Sequence, residues 1–324
     1  MDPEITHRRP TIVSVGSALP EKRVTNKDLE QNLDTTDEWI VTRTGIRERR
    51  IVDKSRPISA AHLGARAAKK ALNRADIDVG DVECIICATF TPDNFFPSTG
   101  CAIQDILGCK NAYAFDISAA CAGFVYGLSI ARSLILSGQC STVCVVGTEI
   151  ISKAIDWSDR STAILFGDGA GAVVVRRHDI NDGSGILSEY IHSDGSIGSI
   201  LTLPAWGSNR CITMNGNEVY KHAVRMMTEA TVRAIEKSGL TISDVDMLIP
   251  HQANIRIIHS IAQNLCLPIN RVMSNLEYVG NTSSASIPLV LDEVWSAGKI
   301  KKGTTVAFTS LGGGLAVGST VVRF

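Results

Sequence analysis

The chain repeats itself at about half its length, and this constrains its fold more than any other feature. Residues 71–87 read ALNRADIDVGDVECIIC and residues 234–250 read AIEKSGLTISDVDMLIP, which aligns Asp81-Val82 with Asp244-Val245. STVCVV from Ser141 aligns with TTVAFT from Thr304 at the same offset. Two independent matches at one offset in a chain of 324 residues imply two duplicated halves rather than a short-period solenoid. The polar stretch Arg176–Gly185, RRHDINDGSG, is the best junction and divides the chain into residues 1–178 and 179–324.

Each half alternates helix and apolar strand. In the first, the patterning predicts a helix over His62–Asn73, a strand over Glu83–Thr89, an apolar helix over Ala122–Ser137 and a strand over Thr142–Gly147. In the second, it predicts helices over Val219–Ser238 and Ser286–Ala297 and strands over Val245–Ile249 and Thr304–Thr309. Strands that are apolar throughout belong to a sheet covered by helices on both faces, which places the chain in the α/β class.

Charge and hydropathy exclude several functions. With 32 Lys and Arg against 33 Asp and Glu, the formal net charge is −1, so the chain is not expected to grip nucleic acid over its whole surface. Its most apolar stretch, Ala119–Leu136, is interrupted by Arg132 and does not read as a membrane span. The opening MDPEITHRRP has no apolar stretch of the secretory type, so a cytoplasmic location with reduced thiols is expected.

Of the nine cysteines, Cys84 and Cys87 form a CxxC. They lie on a predicted strand, where positions i and i+3 face opposite ways, and no second pair completes a metal site. Cys121 differs from the other eight. A strand-like AYAFDI leads into small residues, and a helix begins at or just after the thiol. A helix start favours thiolate, and Ala119, Ala120, Ala122 and Gly123 leave room for a substrate. The alternative is a cysteine buried under a tight turn. His251 follows the strand DMLIP, at the strand end where α/β sheets place ligand sites, although a turn histidine reads the same way. Asn281, in GNTSSAS, precedes the second-half helix, and the repeat maps Cys121 onto Ser284, close behind Asn281 in the same turn. An N-cap or turn role is open to Asn281 as well. GDGAGA at Gly167–Ala172 is followed by a strand rather than a helix, which argues against a dinucleotide loop. The Gly triplet in LGGGLAVGS at Leu311–Ser319 suits either backbone approach to an oxyanion or a tight hairpin.

Taken together, these segments resemble the β-ketoacyl-acyl-carrier-protein synthase III family, the initiating condensing enzymes of bacterial type II fatty-acid synthesis. The resemblance covers nearly the whole chain. It rests on DTTDEWIVTRTGIRER at Asp34–Arg49, AFDISAACAGF at Ala114–Phe124, DRSTAILFGDGAGA at Asp159–Ala172, MNGNEVYK at Met214–Lys221, HQANIRI at His251–Ile257 and GNTSSAS at Gly280–Ser286. It implies the thiolase-like fold, a five-layer αβαβα arrangement of two duplicated halves. It also implies a Cys121–His251–Asn281 triad, where thiolases carry Cys-His-Cys and elongating synthases Cys-His-His. Plant-type polyketide synthases share the triad but are longer.

The implied reaction is a ping-pong decarboxylative Claisen condensation of acetyl-CoA with malonyl-acyl carrier protein, through acyl-Cys121, with an oxyanion hole from the backbone N–H groups of Cys121 and Gly313. No metal or redox cofactor is implied. By the same resemblance, Trp39 and Arg160 sandwich the CoA adenine, Thr35 and Arg43 flank the nucleotide end, and Gly216, Asn217, Tyr220 and Asn254 line the pantetheine tunnel. Tyr220 stands where a Phe is expected. Lys221 with Arg256 is the candidate carrier-protein patch, since lysines found near Gln263-Asn264 in some relatives are missing here. Phe96 resembles a residue that crosses a homodimer interface to floor the partner's acyl pocket. The alternatives are a secondary-metabolism relative with another acyl acceptor and a non-catalytic CoA- or carrier-protein-binding module.

Overall fold

The computed structural model describes residues 9–178, 182–208 and 210–324. The N-terminal stretch weighed above as a leader, and the middle of the Arg176–Gly185 junction, lie outside the described residues.

The first half forms one five-stranded sheet. Its strands are β1 (Arg9–Ala18), β2 (Cys84–Ala88), β3 (Tyr113–Ile117), β4 (Thr142–Glu149) and β5 (Gly169–His178), in the order β1-β5-β4-β2-β3. The second half forms a four-stranded sheet from β6 (Gly185–Ser193), β7 (Met247–Pro250), β8 (Thr305–Gly312) and β9 (Ala316–Arg323), in the order β7-β8-β9-β6. In each sheet the central strand pairs parallel on one side, β4 with β2 and β8 with β7. On its other side it pairs antiparallel, β4 with β5 and β8 with β9. The counterpart of β3 in the second half is reduced to a single parallel bridge between Leu248 and Val272.

Beside α1 (Asp37–Thr44), which packs in a separate cluster, six helices cover these sheets: α2 (Ala60–Arg74), α3 (Thr99–Leu107), α4 (Gly123–Leu136), α5 (Gly216–Lys237), α6 (Ile255–Asn264) and α7 (Ser286–Ser296). Their apolar faces decide the layering. Phe124 and Leu128 of α4 and Ile287 and Leu291 of α7 pack between the sheets, against Ile86 and Val145 on one side and Ile249 and Phe308 on the other. The Phe124 and Phe308 rings meet edge to face, with centroids 6.3 Å apart. Leu63 and Leu72 of α2 and Ile103 of α3 cover the outer face of the first sheet. Met227 and Ala234 of α5 and Ile261 of α6 cover the outer face of the second. The result is the thiolase-like αβαβα stack, with α4 and α7 at its centre. Strands buried on both faces explain the uninterrupted apolar runs in the sequence.

The CxxC obeys the strand geometry. Cys84 packs in the central cluster and Cys87 in the outer one, on opposite faces of β2. All nine cysteines are free. Among the described residues no group of three His, Cys, Asp or Glu side chains is placed to hold a metal ion, and no helix is long and apolar enough to cross a membrane. The GDGAGA glycines serve packing. A Cβ on Gly171 would lie 2.7 Å from Pro288, so their smallness lets α7 approach β5.

Candidate active site

The strand β8 holds two of the three triad candidates, Cys121 and His251, and a separate turn carries Asn281. Cys121 lies in a single 3-10 turn, Ala120–Ala122, directly before α4. The Ser310 hydroxyl on β8 donates to the Cys121 carbonyl at 2.6 Å. The next residue along β8, Thr309, accepts from the His251 backbone N–H at 2.8 Å, at the end of β7. Asn281 is brought in by the turn before α7, where its Oδ1 accepts from the Ser283 backbone N–H at 2.9 Å. The Ser283 hydroxyl pulls the Cys121 thiol downward in pKa, although it has no partner at hydrogen-bond geometry. All three side chains are buried. The two turns are repeat mates: Ala120 and Ser283, aligned by the duplication, both take left-handed backbone conformations, with φ of 44° and 51°.

Neither α4 nor α7 has a side-chain N-cap. The sequence left an N-cap role open for Asn281, and it does accept from a backbone N–H, but at the 3-10 turn rather than at α7 itself. At α4 the preceding 3-10 turn takes up the first backbone N–H groups, with Ala122 N–H donating to Ala119 O at 3.0 Å and Gly123 N–H to Ala120 O. The hairpin between β8 and β9 closes on the same spot. A Cβ on Gly312 would lie 2.6 Å from both the Ala119 oxygen and the Cys121 nitrogen, so only glycine lets the Gly312-Gly313 backbone come this close. That proximity is what the proposed Cys121 and Gly313 pair needs.

The sequence reading expects the helix start to lower the Cys121 pKa, and the structure corrects this. Burial is the largest influence and pushes the thiol up to about 12, while Ser283 and the residue's own backbone N–H pull the other way. The helix was visible in the sequence; the depth of burial was not. Burial also pushes the His251 imidazole down to about 3, so it is neutral. Its Nδ1 is buried without a hydrogen-bond partner.

The Asn281 turn depends on a residue that sequence reasoning missed. Arg49 is fully buried and donates to Ile164 O at 2.7 Å and to Asn26 Oδ1 at 2.9 Å. Burial without a carboxylate at contact distance lowers its guanidinium to about 10. The segment it anchors clamps Asn281 on both sides, through Asn281 N–H to Leu165 O at 2.8 Å and Gly167 N–H to Asn281 O at 3.0 Å. A buried arginine in RTGIRERR looks like any other charge in the run until the fold is known. Glu149, likewise unpredicted, is buried at the end of β4 and hydrogen-bonded to the loop 89–91 and to Ser284.

These elements account for the comparisons with known proteins. Models of 3-oxoacyl-[acyl-carrier-protein] synthase III match residues 115–195, and models of its C-terminal region match residues 235–324. A β-ketoacyl-[acyl-carrier-protein] synthase III of Caldanaerobacter subterraneus subsp. tengcongensis is 48% identical over 97% of both chains. The chain belongs to the β-ketoacyl-acyl-carrier-protein synthase III family. Two solved structures share the fold closely. The crystal structure of the Aquifex aeolicus synthase III superposes with a TM-score of 0.93 at 45% identity, covering 97% of this chain and all of that one. The priming β-ketosynthase of the R1128 polyketide pathway gives the same TM-score of 0.93 at 35% identity, over 98% of this chain and 97% of that one.

The remaining positions that the resemblance proposed lie on several elements. Arg160 lies over the Trp39 ring at 4.7 Å and Arg43 at 5.6 Å from its centroid. Arg160 therefore rests on Trp39 itself, and a purine would have to enter between them by displacing the guanidinium, which also donates to Asp34 O at 2.7 Å. The Thr35 hydroxyl is buried nearby without a partner. Asn254 caps α6 through Arg256 N–H at 2.9 Å and ties that helix to α1 through Arg43 O at 3.0 Å. Gly216 and Asn217 line an open cleft of about 630 Å³ with Ser199, Thr213 and Met214. The Tyr220 hydroxyl meets Ser260 at 2.8 Å, so its extra polar atom is satisfied within the protein. Arg256 covers the Tyr220 ring at 5.6 Å. Lys221 pairs with Glu218 at 2.8 Å, which offsets its charge. Phe96 is 88% exposed and lines none of the Cys121 surroundings within the single chain.

Proposed function

We propose that this chain performs the priming condensation of fatty-acid synthesis: acetyl-CoA plus malonyl-acyl carrier protein gives acetoacetyl-acyl carrier protein, CO₂ and CoA. The observation that supports this reading is the placement of Cys121 and His251 against β8, with Cys121 beside the glycine-cleared backbone at Gly312-Gly313 and Asn281 in the turn at Ser283.

The first half-reaction is thioester exchange. The Cys121 sulfur attacks the acetyl carbonyl, whose developing oxyanion is held by the N–H groups of Cys121 and Gly313. A thiol held protonated by burial loses its proton as the C–S bond forms, and that proton leaves on the CoA sulfur. Acyl transfer is therefore proton-neutral, and a neutral His251 does not have to store charge.

The second half-reaction needs donors rather than a base. The malonyl carboxylate leaves as CO₂, its electron pair moving into the thioester as an enolate. The His251 Nε2–H and the Asn281 side-chain amide stabilise that oxygen. The enolate carbon then attacks acetyl-Cys121, the new C–C bond replacing the C–S bond, and the released thiolate takes up one proton. Burial that keeps His251 neutral keeps it a donor throughout the ordinary pH range. No residue is asked to carry a metal or redox cofactor.

CoA would lie along Trp39, Arg160, Arg43 and Thr35 towards Gly216, Asn217, Tyr220 and Asn254. Arg256 is the stronger member of the carrier-protein patch, because Lys221 is already paired. The exposed Phe96, beside a Phe95 ring stacked on Trp206 at 5.3 Å, suits burial against a second copy of the chain. A homodimer and a cytoplasmic location complete the reading. The test is reconstitution: purified protein, acetyl-CoA and malonyl-carrier protein should yield acetoacetyl-carrier protein and one CO₂ per product. Release of CoA without carbon–carbon bond formation would refute it.

A further inference from the structure

The duplicated halves treat their two helix-start turns differently. Gly312 of the second half clears space beside Cys121; its repeat mate in the first half is Glu149, which meets Ser284, the mate of Cys121. A buried carboxyl thus occupies the position that a glycine clears on the catalytic side.

Its hydrogen bonds bear on its protonation state. Oε2 accepts from the Thr91 hydroxyl at 2.5 Å, the Thr89 hydroxyl at 3.1 Å and the Thr91 N–H at 3.2 Å. The Phe90 N–H approaches both oxygens, at 3.3 and 3.4 Å. On the other side, the Ser284 hydroxyl lies 2.9 Å from Glu149 Oε1 and 2.9 Å from Ala88 O. Ser284 has one proton for two acceptors. Ala88 O and an ionised carboxylate can both only accept, so with Glu149 ionised one of the two contacts has no proton and two lone-pair oxygens face each other; a proton on Glu149 lets both contacts be hydrogen bonds.

We propose that Glu149 is a positioning residue held as the neutral acid, whose proton fixes Ser284 and the turn carrying Ser283 and Asn281, and whose ionisation opposes thiolate formation at Cys121. Burial raises this carboxyl to about 7 against the donors from the loop 89–91. A charge at Glu149 raises the Cys121 thiol, and the Cys87 thiol with it. Asp93 and Asp116 also act on Cys87, Asp93 being paired with Lys153 at 3.3 Å. The residues that touch Glu149 from the loop and the turn are uncharged. The inference rests on Cys121 as the nucleophile.

Glu149→Gln keeps a donor towards Ser284 and cannot ionise. The rate of Cys121 alkylation, followed on its own peptide by mass spectrometry, should match the wild type near pH 6 and exceed it increasingly above neutrality. The gain should grow as Glu149 ionises and level off above about pH 8, where its ionisation is complete. Thr91→Val removes a donor that favours the ionised carboxyl, so the wild-type slowing should begin at higher pH. That variant answers the question even if Glu149→Gln does not fold. A rate ratio independent of pH, or a uniform loss with lowered Tm, would overturn the proposal and leave Glu149 a packing residue. The dependence on the nucleophile is checked separately: if fully alkylated Cys121 still supports condensation, the reading of Cys121 fails whatever the pH ratio.

Discussion

Asn281→Ala should separate the two half-reactions. The substitution removes one donor to the enolate oxygen, and loss of a single oxyanion-type donor costs about 10²–10³ in rate, or about 2.7–4 kcal/mol. It also removes the acceptor for the Ser283 N–H, a buried contact of 2.9 Å on a residue already at φ 51°. Leaving that donor unpaired costs about 1–3 kcal/mol of stability. Thioester exchange uses neither effect directly, because its oxyanion is met by backbone N–H groups at Cys121 and Gly313. Two assays decide the matter: labelled acetyl uptake from acetyl-CoA, and CO₂ release from malonyl-carrier protein without a primer. The expected pattern is acetyl uptake within a few-fold of wild type and CO₂ release down by about 10²–10³, with Tm lowered by several degrees. If acetyl uptake collapses while CO₂ release survives, or if both fall by one common factor, the role given to Asn281 is wrong.

Other expectations follow from the same geometry. Gly312→Ala would push a methyl to 2.6 Å from the Ala119 oxygen and the Cys121 nitrogen, so acetyl uptake should fall at least 10²-fold, roughly the loss of an oxyanion donor, with a lowered Tm by calorimetry. A wild-type rate there would show that the hairpin does not build the oxyanion hole. His251 protonates near 6.5 when unfolded but only at about 3 when folded. The unfolded state therefore binds more protons between those values, and stability should decline as pH falls below about 6.5, by up to about 1.4 kcal/mol per pH unit from this group. His251→Gln should remove that component in urea titrations across the same range. Arg256→Glu should raise the apparent KM for malonyl-carrier protein several-fold, with a salt-dependent effect, and spare acetyl uptake. Lys221→Ala should do less, because Lys221 is already paired with Glu218.

The repeat was legible in the sequence far beyond the two matches that revealed it. The same offset relates the 3-10 turns Val79–Asp81 and Ile242–Asp244, and the backbone bonds Glu83 N–H to Thr142 O and Asp246 N–H to Thr305 O. Period and composition expose such features because the buried strands and their Asp-rich turns are local patterns. Element ends moved by only a few residues: the helix expected over Val219–Ser238 runs from Gly216 to Lys237, capped by Asn215. Three things were not legible. The shrinkage of the second sheet's edge to one bridge at Val272 follows from tertiary packing that no local pattern records. The raised Cys121 thiol depends on how deeply the two halves enclose it. Arg49 and Glu149 carry no signature. A buried charge in a polar run reads as a solvated one until partners remote in sequence, such as Ile164 for Arg49 and Ser284 for Glu149, are in place.

The central claim is that Cys121 carries the acyl group, and intact-protein and peptide mass spectrometry after incubation with acetyl-CoA alone tests it most directly. One acetyl per chain is expected, on the peptide containing Cys121, removed on addition of malonyl-carrier protein. The exposed Cys101 and Cys266 provide the internal control, as accessible thiols outside the site. Acetyl found on either of them with Cys121 unmodified, or acetyl on Cys121 that malonyl-carrier protein does not discharge, would contradict the account.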